Sequence, residues 1–165
     1  MVLFLLASCS AQEKVSPEIV CERLCGADKN VIFDDDFSFV KDGVYTYSID
    51  YAQSLVLVAE MHIDGQGNVK KINLACDKTD KADLFEQCIR SMIKIYSPDE
   101  NSDEITDAIF CDKESDGKFC YYETQWYKYS AVRSENGLFF STENMKLTPR
   151  GEDKLSLKPN DTVEY

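Results

Sequence analysis

SLVLVAEMHIDGQGNVKKINLACDKTDKADLFEQCIRSMIKIY, residues 54–96, holds two different hydrophobic periods separated by one short polar break. Ser54 to Ile63 is a strongly apolar run rich in β-branched residues, which predicts a strand. Asp64-Gly65-Gln66-Gly67-Asn68 then predicts a turn, and Val69 to Cys76 a second strand, so the first half is a hairpin. Asp64, Gln66 and Asn68 also occupy the first, third and fifth positions of a calcium loop. Val69 stands where that loop needs glycine, and Ala75 where it needs glutamate, so the turn is read as a hairpin turn alone. In the second half the period changes. Leu84, Phe85, Cys88, Ile89, Met92, Ile93 and Tyr96 recur at helical spacing, predicting a helix from Asp80 to Tyr96 with Thr79 as its cap and Ser97-Pro98 as its stop. A hairpin followed by a long one-sided helix is the pattern of an α+β fold.

The flanks extend that pattern. Towards the N-terminus, Val44 to Tyr51 alternates, with Tyr45, Tyr47, Ile49 and Tyr51 on one side. Asp34-Asp35-Asp36 reads as an acidic loop before a strand from Phe37 to Val40. Ser16 as N-cap and Pro17 at the first position open a helix through Ile19, Val20 and Leu24 that stops at Gly26. Towards the C-terminus, Ser102 to Ile109 is read as a short helix. Phe110-Cys111 and Phe119-Cys120 flank a four-residue loop, Glu114 to Gly117, which sets Cys111 opposite Cys120. A long aromatic strand to about Arg133 follows, and Asn136-Gly137 returns it into Leu138 to Ser141. The expected fold is an antiparallel, meandering sheet of roughly four to six strands with helices on one face. It is expected to form a single domain over residues 16–145, followed by a polar tail, 146–165.

The chain has 165 residues, 44% of them hydrophobic, and nineteen aromatics, so a packed core is expected rather than a disordered chain. Its net charge of −12 would be repelled by nucleic acid and by anionic lipid, which excludes both as direct partners. The charge is concentrated. Between Ser97 and Gly117, eight acidic residues face one lysine, a net of −7.

Leu6-Ala7-Ser8-Cys9, after an apolar run from Val2, resembles the lipobox of bacterial lipoproteins. The resemblance covers about nine residues. It implies cleavage before Cys9, a remnant signal segment at residues 1–8, a lipid on the Cys9 sulfur, and a tether over residues 9–15. Ser10, where an aspartate would signal inner-membrane retention, implies the outer membrane, with the domain at the periplasmic face. The lipid is then the chain's one membrane attachment, through two or more acyl chains. With Cys9 lipidated, six cysteines remain: Cys21, Cys25, Cys76, Cys88, Cys111 and Cys120. An even number suits an oxidising compartment. Cys111 is expected to bond Cys120. Cys21 and Cys25 lie four apart on one helix face, a poor geometry for bonding each other, so they are expected to reach Cys76 and Cys88 in an order left open.

No nucleophile elbow, phosphate loop, dinucleotide fingerprint or zinc-protease motif occurs. The cysteine spacings do not match paired zinc ligands, and the one histidine, His62, sits in a predicted strand. No enzyme, cofactor or metal is therefore expected. Regular alternation would place Tyr121, Tyr127 and Tyr129 on one strand face, beside the acidic segment carrying Asp99, Glu100, Asp103, Glu104 and Asp107. Aromatic area beside concentrated charge is the chemistry of a protein-binding surface for a basic partner. The expected function is that of a non-enzymatic envelope lipoprotein, an inhibitor or immunity-type factor for a basic envelope-active enzyme. A structural component of the envelope and a carrier of a small apolar ligand held between sheet and helix are the alternatives.

Overall fold

The computed structural model describes residues 15–110 and 120–146, and of residues 35–37 the backbone alone. Three helices, α1 (Pro17–Ala27), α2 (Ala82–Tyr96) and α3 (Ser102–Ile109), accompany seven strands. The strands are β1 (Val31–Lys41), β2 (Val44–Tyr51), β3 (Leu55–Ile63), β4 (Val69–Cys76), β5 (Cys120–Glu123), β6 (Tyr127–Ser134) and β7 (Gly137–Asn144). They form one antiparallel sheet in the order β1-β2-β3-β4-β7-β6-β5. Two meanders thus meet at the β4–β7 pair, and the helical crossover α2–α3 connects them. The α+β class and the one-sided helices are as expected; the strand count is higher.

The β3–β4 hairpin forms because the Asp64 carboxylate ties the turn together. Its Oδ1 accepts from the backbone N–H of Gln66 and of Asn68, each at 2.8 Å, while Gly67 takes a φ of +83° that side chains disfavour. The same turn holds the chain's entry point. Val15 donates its N–H to Asn68 Oδ1 and its carbonyl accepts from Val69 N–H.

Helix α2 lies across the sheet with Phe85, Cys88, Ile89, Met92 and Ile93 buried, the face its periodicity marked. Its start differs from the expectation. Thr79 to Lys81 form a turn of 3₁₀-helix, α2 begins at Ala82, and no side chain caps it, so Thr79 is not the cap. Beneath α2 sit Leu55, Leu57, Ala59 and Met61 of β3, with Ile72, Leu74, Leu138 and Phe140 of the neighbouring strands. Val20 and Leu24 of α1 and Ile105 and Ile109 of α3 complete this core.

Two strands depart from the sequence reading. β1 runs through the acidic triplet, but its pairing jumps from Asp34–Ser48 to Ser38–Tyr47, so residues 35–37 are an insertion in a continuous strand. The long aromatic strand is two strands. Thr124 breaks it, its Oγ1 accepting from the N–H groups of Trp126 and Tyr127 at 3.3 and 3.0 Å. The last hairpin turns on Glu135 and Asn136, one residue earlier than expected, since Ser134 pairs with Gly137.

The expected stapling by three disulfides is corrected. Cys76 and Cys88 are free thiols, as is exposed Cys25, so the bonds from Cys21 and Cys25 to Cys76 and Cys88 are not made. Position explains this. Cys21 lies near Tyr47 and Tyr96, towards the C-terminal end of α2, whereas Cys88 faces the core two turns earlier, near Asp28. Cys76 ends β4, where its sulfur accepts from Lys78 N–H at 3.2 Å. Cys120 is disulfide-bonded, and the expected Cys111–Cys120 pair falls partly outside the described residues. The Leu6–Cys9 motif lies outside them entirely.

Candidate functional site

The described part of the acidic segment, residues 97–110, forms a rim on the helical layer, while Asp112, Glu114 and Asp116 lie outside the described residues. Asn101 caps α3, its side-chain oxygen accepting from Asp103 and Glu104 N–H, and Ile105, Thr106 and Ile109 anchor the helix inward. Asp99, Glu100, Asp103, Glu104 and Asp107 are then all exposed. Arg90 of α2 reaches this rim, its Nε 3.0 Å from Asp103 and its Nη2 4.0 Å from Asp107. Glu86, one turn earlier, pairs with Arg90 and with Arg133 of β6, so one chain of charges links α3, α2 and the sheet. The rim keeps most of its negative charge.

The three tyrosines do not join it. The Thr124 turn puts Tyr122 opposite Tyr129 and Tyr121 opposite Ser130, so Tyr121 points to the sheet face away from Tyr127 and Tyr129. Tyr129 is fully buried. Its hydroxyl lies 2.8 Å from Ser97 Oγ, and its ring sits between Tyr127 and Phe140. Tyr127 packs on Tyr96 inside the same cluster. Tyr129 is thereby withheld from a partner and Tyr127 is partly buried against the core, whereas Tyr121 is exposed beside Lys128. The expected shared face required one unbroken strand.

The opposite face of the sheet carries a surface that the sequence reading missed. Among the described residues no helix covers it. Val56, Val58, Phe139 and Tyr121 are exposed there, and Val56, Val58, Ala75 and Phe139 line an open groove of about 500 Å³. One pairing row across it runs Ser48, Val58, Ala75, Phe139, Val132. The next, further from the groove, runs Thr46, Glu60, Asn73, Ser141, Ser130, Tyr121. Here Asn73 Nδ2 donates to Glu60 Oε2 at 3.3 Å and stands 3.2 Å from His62 Nε2. Burial and nearby Lys71 hold the His62 imidazole below its ordinary value, so it is neutral at pH 7. Glu60 and Asn73, in the neighbouring row, join it in a polar cluster on the sheet surface.

The described residues hold no group of His, Cys, Asp or Glu side chains arranged for a metal ion. Buried Cys88 has its thiol pushed up to about 12 by desolvation, the opposite of an activated nucleophile. The gap between α2 and the sheet at Tyr96, Tyr127 and Thr142 measures about 10 Å³, far below what an organic ligand needs. The described residues thus present two distinct surfaces on opposite layers, one an acidic rim and one an apolar patch. Comparison with protein-family models, curated proteins and solved structures finds no match to this chain.

Proposed function

We propose that the protein is a non-enzymatic lipoprotein, held at the periplasmic face of the outer membrane through Cys9, that binds a basic protein partner through the acidic rim. The observation that carries the binding claim is the rim itself. Five exposed carboxylates stand on a capped and anchored helix and its leading turn, pre-organised before any partner arrives. Such a field raises the association rate of a basic protein and repels acidic ones. An inhibitor or immunity-type factor for a basic envelope-active enzyme fits this chemistry. Placement in the envelope rests chiefly on the resemblance of Leu6-Ala7-Ser8-Cys9 to the lipobox; the free thiols of Cys76 and Cys88 remove the even cysteine count as support for an oxidising compartment, while the disulfide at Cys120 suits one.

A second reading, a component of an envelope assembly, is favoured by the exposed valines and Phe139 of the open sheet face. Affinity purification from membranes in low and high salt tests the proposal. A basic protein that co-purifies at low salt and is released by salt supports it; recovery of the chain in the soluble fraction, without acyl mass, removes its lipoprotein half.

A further inference from the structure

We propose that the open sheet face is the interface of a homodimer, two copies packing sheet against sheet with both helical layers outward. The face is built for contact. In an antiparallel sheet with one face on the core, the other is ordinarily polar. Here Val56 is 54% exposed, Val58 43% and Phe139 46%, and with Ala75 and Val132 they form one apolar patch over β3, β4, β7 and β6. The edges of the sheet are less inviting. β1 is interrupted by the inserted residues 35–37 and β5 has only four residues, both devices that blunt strand-to-strand association. The contact surface on the sheet is its face.

The area suits a second copy. Seven strands about 4.8 Å apart, most of them about eight residues long at about 3.3 Å per residue, give a face of roughly 29 by 26 Å, or about 750 Å². A stable interface uses about 800 Å² per partner. Two copies of one sheet also share the same twist, which lets their faces pack aligned at about 30°.

Charge points the same way. A chain of net charge −12 would resist self-association if its charge were spread evenly, but the acidic rim lies on the helical layer, away from this face. The face itself mixes signs at its far end, where Lys71 stands opposite Glu143 in the strand register, Glu143 opposite Lys128, and Lys128 opposite Glu123, the last two forming an ion pair at 3.8 Å. A face of mixed sign sets up no single-sign repulsion against a second copy. The dimer would carry two acidic rims pointing in opposite directions.

Sedimentation velocity of the full chain carrying Cys9→Ser, from about 1 to 100 µM, tests this. The parent is expected to sediment as a dimer with a Kd in the micromolar range, little changed by salt. Val58→Lys with Phe139→Lys should sediment as a monomer with an unchanged circular dichroism spectrum. The milder pair Val56→Thr with Phe139→Ser, which keeps strand propensity, should weaken dimerisation at least tenfold. A parent that is monomeric at 100 µM, or a dimer that persists in the milder pair, overturns the proposal. Loss of a captured, different envelope protein by the same variants, with the parent monomeric, also overturns it and assigns the face to that protein. None of these outcomes touches the acidic rim, whose binding is read separately by its salt dependence.

Discussion

Tyr129 shows how much one hydroxyl can fix. Its ring lies in the core, and its O–H meets Ser97 Oγ at the end of α2, where neither group reaches water. Tyr129→Phe leaves Ser97 without that bond and should cost about 1 to 3 kcal/mol in denaturant unfolding, while partner binding stays unchanged. Gly137 is constrained by backbone. At a φ of +153°, a β-carbon there would lie 2.6 Å from the Cys76 carbonyl oxygen, so Gly137→Ala should destabilise by about 1 to 3 kcal/mol by the same measurement. The thiols should differ in reactivity. Iodoacetamide at pH 8 should label exposed Cys25 in the native protein and reach Cys88, with its thiol pushed up to about 12, only after unfolding. Asp28 sets an acid limit. Burial pushes its carboxyl up, but hydrogen bonds from Ser91, Asn30 and Tyr51 outweigh that and hold it below the ordinary value. The unfolded chain therefore binds this proton more readily, so the contribution is full above the ordinary carboxylate range and is lost as pH falls through the folded value. The urea midpoint should drop less steeply between about pH 5 and pH 2 in Asp28→Asn than in the parent.

Helix α3 joins the rim to the core, and its cap is the place to loosen it. Asn101→Ala removes the acceptor for two N–H groups and should cost about 1 kcal/mol, with faster amide exchange confined to α3. Elements of this kind were legible where their signals are local. The β3–β4 turn, α2 and α3 each follow from spacing within one segment, and the rim follows from charge along 97–107. The break in the aromatic strand was not legible, because Thr124-Gln125-Trp126 has no Gly or Pro and the threonine hydroxyl makes the turn. β1 was hidden in the same way, its inserted residues 35–37 reading as a loop. The first of these misreadings put Tyr121 on the same face as Tyr127 and Tyr129. The open face left a partial trace, since Val56 and Val58 alternate with buried Leu55, Leu57 and Ala59 in a strand apolar on both sides. Its union with Phe139 needed the β4–β7 pairing, a contact between residues more than sixty positions apart.

Among the described residues the layers divide the work: helices cover one face of the sheet and carry the acidic rim, and the other face carries an exposed apolar patch. The central claim is that this rim recruits a basic protein. Surface charges of this kind act over roughly a Debye length, about 8 Å at physiological salt, and chiefly through the association rate. The most direct measurement is the association rate of the captured partner with the parent and with a protein in which Asp99, Glu100, Asp103, Glu104 and Asp107 are all replaced by their amides, across a salt series. The account predicts association at least tenfold slower for the neutralised protein at low salt, a flattened salt dependence, and little change in dissociation. Equal rates and equal salt slopes for the two folded proteins would contradict it.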